Sequence, residues 1–122
     1  VLGQCISEYD IAIIGMSAAR NSDIQQKVTL ELALATANML SIQFDESKII
    51  VDDRFLGPGY ALPSEEGEKA AKIFAAMEGV LLDHVYTGKA AAGLIEYAAN
   101  QRFDKDDNIV FVHTGGSSGV FY

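Results

Sequence analysis

Cysteine and basic side chains are scarce in this 122-residue chain, and each shortage excludes a class of protein. The single Cys5 can close no internal disulfide, so the chain is not a stapled secreted scaffold and a reducing cytoplasm is the default. Nine Lys and Arg stand against seventeen Asp and Glu, giving a formal charge of −8. That leaves too little positive surface to neutralise phosphates, and nucleic acid drops out as a partner. No apolar run approaches the roughly eighteen residues of a membrane span, and no basic segment precedes an apolar one at the N-terminus. The expectation is a soluble, untargeted protein without membrane contact. Internal repeats and low-complexity segments are also missing.

What is present is enough for a real core. Hydrophobic residues make up 49% of the chain and charged residues 21%, which is not the composition of a disordered tail. The length fits one domain over residues 1–122. The chain opens on Val1 rather than Met, inside what reads as an element, so a piece of something longer is expected.

The apolar run Tyr9 to Met16, with strand residues from Ile11, has the length and β-branching of a strand buried on both faces. Asn21 and Ser22 offer a helix start, with Gln25 placed as in a capping box, and Ile24, Val28, Leu32, Ala35 and Met39 follow at helical spacing. Ile49 to Asp52 reads as a second buried strand. Pro63-Ser64-Glu65-Glu66 opens a helix whose stripe is Ala70, Ile73, Phe74 and Met77 and whose end is Gly79. Thr87 or Gly88 opens another, with Ala91, Leu94, Ile95 and Ala98 on its packing face. Ile109 to His113 reads as a third buried strand. Apolar strands alternating with amphipathic helices predict an α/β fold, an open and mainly parallel sheet with helices on both faces.

In such sheets ligands sit where loops leave the carboxyl ends of strands, which selects three loops. In Asp52 to Tyr60, glycines on either side of Pro58 can hold a tyrosine hydroxyl at a defined place, although loop chemistry alone favours a structural turn with an exposed tyrosine. Asp52 and Asp53 are strand neighbours that point to opposite faces, so they read as solvated or salt-bridged carboxylates rather than a metal pair. Tyr86-Thr87-Gly88-Lys89 is a helix start whose free amides and hydroxyl can hold an anion; the plain alternative is a capped helix with an exposed lysine. It lacks the first glycine and the preceding strand of a phosphate loop. Thr114 to Gly119 is a glycine-rich strand end that allows close backbone approach to a ligand, or a turn into a terminal helix. His84 and His113 have no second ligand at zinc spacing, and no serine lies in a nucleophile elbow.

Four motifs in fixed order, Val51 to Tyr60, Glu78 to Asp83, Val85 to Ala90 and His113 to Gly116, resemble the pyridoxal-phosphate enzymes of the D-cysteine desulfhydrase and aminocyclopropane-carboxylate deaminase family. The resemblance covers essentially the whole chain but only the C-terminal portion of that family's larger fold-type II, tryptophan-synthase-β-like proteins. It implies that the Schiff-base lysine and the phosphate cup lie outside this chain and that Lys89 is not that lysine. The isolated chain is therefore expected to be inactive and to need the missing N-terminal part of the same protein, in a homodimeric assembly. Two departures stand out: His84 replaces a common proline, and Ser117-Ser118-Gly119 replaces a segment with alanine and proline.

Residue by residue, the resemblance makes Tyr60 the catalytic tyrosine that faces the substrate and Tyr86 the aromatic residue beside the cofactor ring and substrate. Thr87 and Thr114 match positions near the pyridine nitrogen. Deaminases of the family carry glutamate and leucine there, whereas desulfhydrases carry small hydroxyl residues. A hydroxyl donor leaves a weaker electron sink than a carboxylate partner, which is sufficient for αβ-elimination of a thiol and less suited to opening a cyclopropane. The expected function is D-cysteine desulfhydrase-like, a lyase giving pyruvate, ammonia and hydrogen sulfide from a small amino-acid substrate. The alternatives are an aminocyclopropane-carboxylate deaminase and a non-catalytic α/β binding or interaction module.

Overall fold

A computed structural model describes residues 11–121. Tyr9 and Asp10, at the head of the first expected strand, lie outside that range. Strand β1 (Ile14–Met16) pairs in parallel with β2 (Ile50–Asp52), and helix α1 (Ser22–Leu40) connects them. The register sets Ile14 against Ile50, Gly15 against Val51 and Met16 against Asp52, and the ladder extends through Ser17 N–H to Asp52 O at 2.8 Å. Helices α2 (Glu65–Glu78) and α3 (Thr87–Ala99) follow, and short 3-10 turns lie at Glu46–Lys48 and Ser117–Phe121.

The helix starts and stops follow local chemistry. Asn21 caps α1 by accepting from Ile24 N–H at 3.0 Å, so Gln25 is not in the reciprocal capping-box position. Ser64, buried, caps α2 by accepting from Gly67 N–H at 3.1 Å, and Gly79 closes α2 at φ 66°, where a left-handed residue is needed.

The core lies between α2 and α3: Phe55, Ala70, Leu82, Ala91 and Ala92 are buried together, with Met16, Phe74, Ile95 and Phe111 packed against them. Two expected stripes are narrower than their spacing implies. In α2, Ala70 and Phe74 pack while Ile73 and Met77 face solvent; in α3, the buried face shifts to Gly88, Lys89, Ala92, Gly93 and Tyr97, and Ala98 is exposed.

Three expectations need correction. Neither strand is buried on both faces, because α1 packs on β2 and α3 on β1 while most strand residues keep partial exposure. The described sheet has two strands, not three. Ile109 to His113 forms no ladder: Val110 is 82% and Val112 70% exposed, and Phe111 alone turns into the core, with its ring centroid 5.5 Å from that of Phe74. An apolar run becomes a buried strand only if both its edges and both its faces find partners. The observed architecture is α/β with a small parallel sheet.

Candidate active site

The loop after β2 is shaped by its glycines. Gly57 has φ 67°, and a Cβ there would lie 2.6 Å from Ser64 Cβ, so the turn can close against the start of α2 only with glycine. The chain then passes Gly59 and delivers Tyr60. Its hydroxyl lies 2.5 Å from that of Tyr86, and the two rings meet edge to face with centroids 6.2 Å apart. Both tyrosines are about half exposed, so the pair forms a polar tip on an open surface. The hydrogen bond to Tyr60 raises the Tyr86 pKa above the ordinary tyrosine value, so the Tyr86 hydroxyl stays protonated through neutral pH.

Lys89 is fully buried, not the exposed lysine of the plain alternative. Its ammonium donates to the Gly59 carbonyl at 3.0 Å and so ties the Tyr60 loop to α3. Burial lowers its pKa, and nearby Asp83 opposes that shift. The close approach that surrounds it depends on two glycines: a Cβ on Gly88 would lie 2.7 Å from Asp83 O, and one on Gly67 would lie 2.7 Å from Ser64 Oγ.

The amides before α3 do hold an anion, and it is a side chain of the same turn. Asp83, 1% exposed, accepts from Val85 N–H and Tyr86 N–H on Oδ2 and from Thr87 N–H and the Thr87 hydroxyl on Oδ1, at 2.6 to 2.8 Å. Its own N–H donates to Thr87 Oγ1 and its carbonyl accepts from Gly88 N–H. Burial pushes the Asp83 pKa up, but these donors more than offset it and hold the carboxyl below its usual value. Thr87 is 1% exposed and its hydroxyl proton is committed to Asp83, so it has none free for a ligand in this geometry.

Thr114 is exposed, between His113, whose Nε2 lies 3.2 Å from Leu81 O, and the pair Gly115-Gly116, both at positive φ. Nothing lies within 4 Å of a Cβ built on Gly115, so the backbone there is open to an approaching molecule. The fold therefore brings Tyr60, Tyr86 and Thr87 to one end of the α2–α3 pair, with the Thr114 loop beside them. The two aspartates at the end of β2, Asp52 and Asp53, diverge as expected. Asp52 takes Arg54 and the Tyr97 hydroxyl at 2.7 and 2.6 Å, and Asp53 accepts from Ser22 N–H at 2.7 Å. No cluster with the makings of a metal site occurs among the described residues.

Sequence reasoning gave no role to Asp83, and it did not find the burial of Lys89, which only its plain alternative placed, as exposed. An Asp four residues before a Thr that opens a helix is a legible capping signal for the first. Nothing local marks the second, since its burial depends on a neighbouring loop.

The family model described as pyridoxal-phosphate dependent enzyme matches residues 4–115. The chain belongs to that family. Among its relatives, a D-cysteine desulfhydrase of Klebsiella pneumoniae is 43% identical over 109 residues, covering 89% of this chain. Those of Salmonella newport and Salmonella heidelberg are 41% identical over 112 residues, covering 92%. The chain spans about a third of the length of these relatives, 33% and 34% respectively. The residues present suit one wall of a pyridoxal-phosphate site. The exposed Tyr60–Tyr86 pair stands at the start of α3, and the loop that meets the same turn through Gly116 and Asp83 carries an exposed Thr114 and an open Gly115 backbone, while Lys89 is engaged on Gly59.

Proposed function

We propose that this chain forms one wall of the active site of a pyridoxal-phosphate lyase that splits D-cysteine, with water, into pyruvate, ammonia and hydrogen sulfide. The observation that carries the reading is the Tyr60–Tyr86 hydroxyl pair, two residues from separate loops held tip to tip at an open edge beside the Thr114 loop. Bound pyridoxal phosphate supplies the sink for the electron pair left when the Cα proton departs. Tyr60 presents its Oη to the substrate, and its hydrogen bond with Tyr86 lets that oxygen take or give a proton without leaving an uncompensated charge. The Tyr86 ring lines the cofactor face. Thr114 is the hydroxyl free to donate to the ring nitrogen, while Thr87 shapes the same wall through Asp83 rather than by donating outward.

The remaining part of the protein supplies the Schiff-base lysine and phosphate cup, and it covers apolar side chains that stand exposed on α1, among them Ile24, Leu32 and Met39. The assembled enzyme is a cytoplasmic homodimer whose sheet continues beyond the two strands here, with helices on both faces. No helix among the described residues is long and apolar enough to cross a membrane.

The test is the full-length protein. It should bind pyridoxal phosphate, seen as visible absorption, and release pyruvate and sulfide from D-cysteine. Tyr60→Phe should lower kcat on the order of 100-fold with the cofactor still bound. A protein that binds no pyridoxal phosphate refutes the reading. One that binds it but turns over aminocyclopropane carboxylate and not D-cysteine makes it a deaminase instead.

A further inference from the structure

Asp83 touches two of the three segments that carry the candidate site, the start of α3 and the Thr114 loop. All its polar atoms are used within the turn 83–88, and the side chain is closed off from water. On its other side lies the glycine loop: a Cβ on Gly116 would sit 2.4 Å from Asp83 Oδ1 and 2.5 Å from its Cγ, and one on Gly119 would sit 3.4 Å from its Cβ. Gly116, at φ 85°, is therefore a docking point as well as a turn, because any side chain would displace the carboxylate that holds Tyr86 and Thr87. Tyr86 has no side-chain cap of its own at the start of α3, so Asp83 supplies the acceptors that fix its backbone.

Resting on the proposed lyase reading, we propose that Asp83 is a positioning residue: its buried carboxylate fixes the backbone of Tyr86 and Thr87 and seats the Thr114 loop through Gly116, giving the two segments one shared geometry. The side chain touches neither substrate nor cofactor and acts through the residues it holds.

Asp83→Asn preserves size but turns one acceptor oxygen into an NH2 group that faces N–H or O–H donors whichever way the amide is turned. In the full-length protein, amide hydrogen exchange should speed up roughly tenfold in both 83–89 and 113–119, because the two bonds to the replaced oxygen are lost in the first and the side chain, no longer held in place, shifts against Gly116 in the second. For D-cysteine, kcat should fall roughly tenfold with a smaller change in KM, because orientation is lost and no substrate contact is removed. Gly116→Ala approaches the same contact from the other segment and should loosen 83–89 in turn, which keeps the proposal open to refutation if Asp83→Asn does not fold. Thr87→Ser retains the hydroxyl on Asp83 and should retain the exchange protection of both segments. Faster exchange confined to 83–89 in Asp83→Asn, or an unchanged 83–89 in Gly116→Ala, overturns the proposal and leaves Asp83 a local cap. A parent protein that binds no pyridoxal phosphate refutes the lyase reading instead, and the exchange data still decide whether the two segments are coupled.

Discussion

Helix α1 and the α2–α3 pair contrast sharply in what they bury. In α1 the two buried residues are alanines, Ala33 and Ala37, while Leu32 is 63% and Met39 78% exposed. The α2–α3 pair instead buries Phe55, Ala70, Leu82, Ala91 and Ala92 around a fully hydrogen-bonded Asp83 and a buried Lys89. The difference shows where this chain determines its own structure. Between 55 and 99, glycines allow close approach and the buried Ser64, Asp83, Thr87 and Lys89 side chains are all hydrogen-bonded, although His84 Nδ1 is buried without a partner among the described residues; along α1 the apolar stripe of Ile24, Val28, Leu32 and Met39 stands exposed.

The contrast can be broken most directly in the core. Phe55→Ala should cost about 3–5 kcal/mol in urea unfolding of the chain, the transfer and cavity cost of a buried aromatic. A loss near zero would mean that the α2–α3 pair is not the stable half.

Gly88→Ala should cost about 1–3 kcal/mol, because its methyl meets main-chain atoms, Asp83 O at 2.7 Å and Gly67 O at 3.1 Å. Gly93→Ala should be milder, since its methyl meets Met16 Cε at 2.5 Å, the far end of a flexible side chain. Equal losses by thermal melting would argue that the approach of the two helix starts is not tight.

Acid provides a third test. Burial pushes the Asp52 pKa up, but hydrogen bonds from Arg54 and Tyr97 outweigh that and hold it at about 2. A carboxyl depressed in the folded state stabilises fully above its unfolded value of about 3.9 and loses that contribution as pH falls from there to about 2. Melting temperature should therefore drop over that window in the parent and drop less in Asp52→Asn. Identical acid profiles would remove the Arg54–Asp52–Tyr97 link from the account of the β2 end.

The smallest effect should be Leu32→Ala, within about 0.5 kcal/mol in this chain. A loss several times larger in the full-length protein would mark the α1 face as covered there.

Local chemistry was legible from the residues themselves. Asn21 and Ser64 as caps, Gly79 as a stop, Thr87 as a helix start and the diverging Asp52 and Asp53 follow from steric and hydrogen-bonding rules that span a few residues. Family membership was legible as well, because four motifs in fixed order are long enough to be specific, and the family match spans residues 4–115. Ile109 to His113 was misread because an apolar run states a preference for burial, and whether a strand edge finds a partner is decided elsewhere in space. The burial of Lys89 was not legible for the same kind of reason: its charge predicts solvent, as the plain alternative had it, and the Gly59 carbonyl, 30 residues earlier in the chain, with Asp83 nearby, makes burial tolerable. The sequence by itself determined the caps, the turns and the chemical types that stand near the site. Only the tertiary structure decided that Asp83 takes the amides before α3, that Thr87 turns its proton inward, and that Tyr60 meets Tyr86, because each depends on which groups from distant segments come within hydrogen-bond reach.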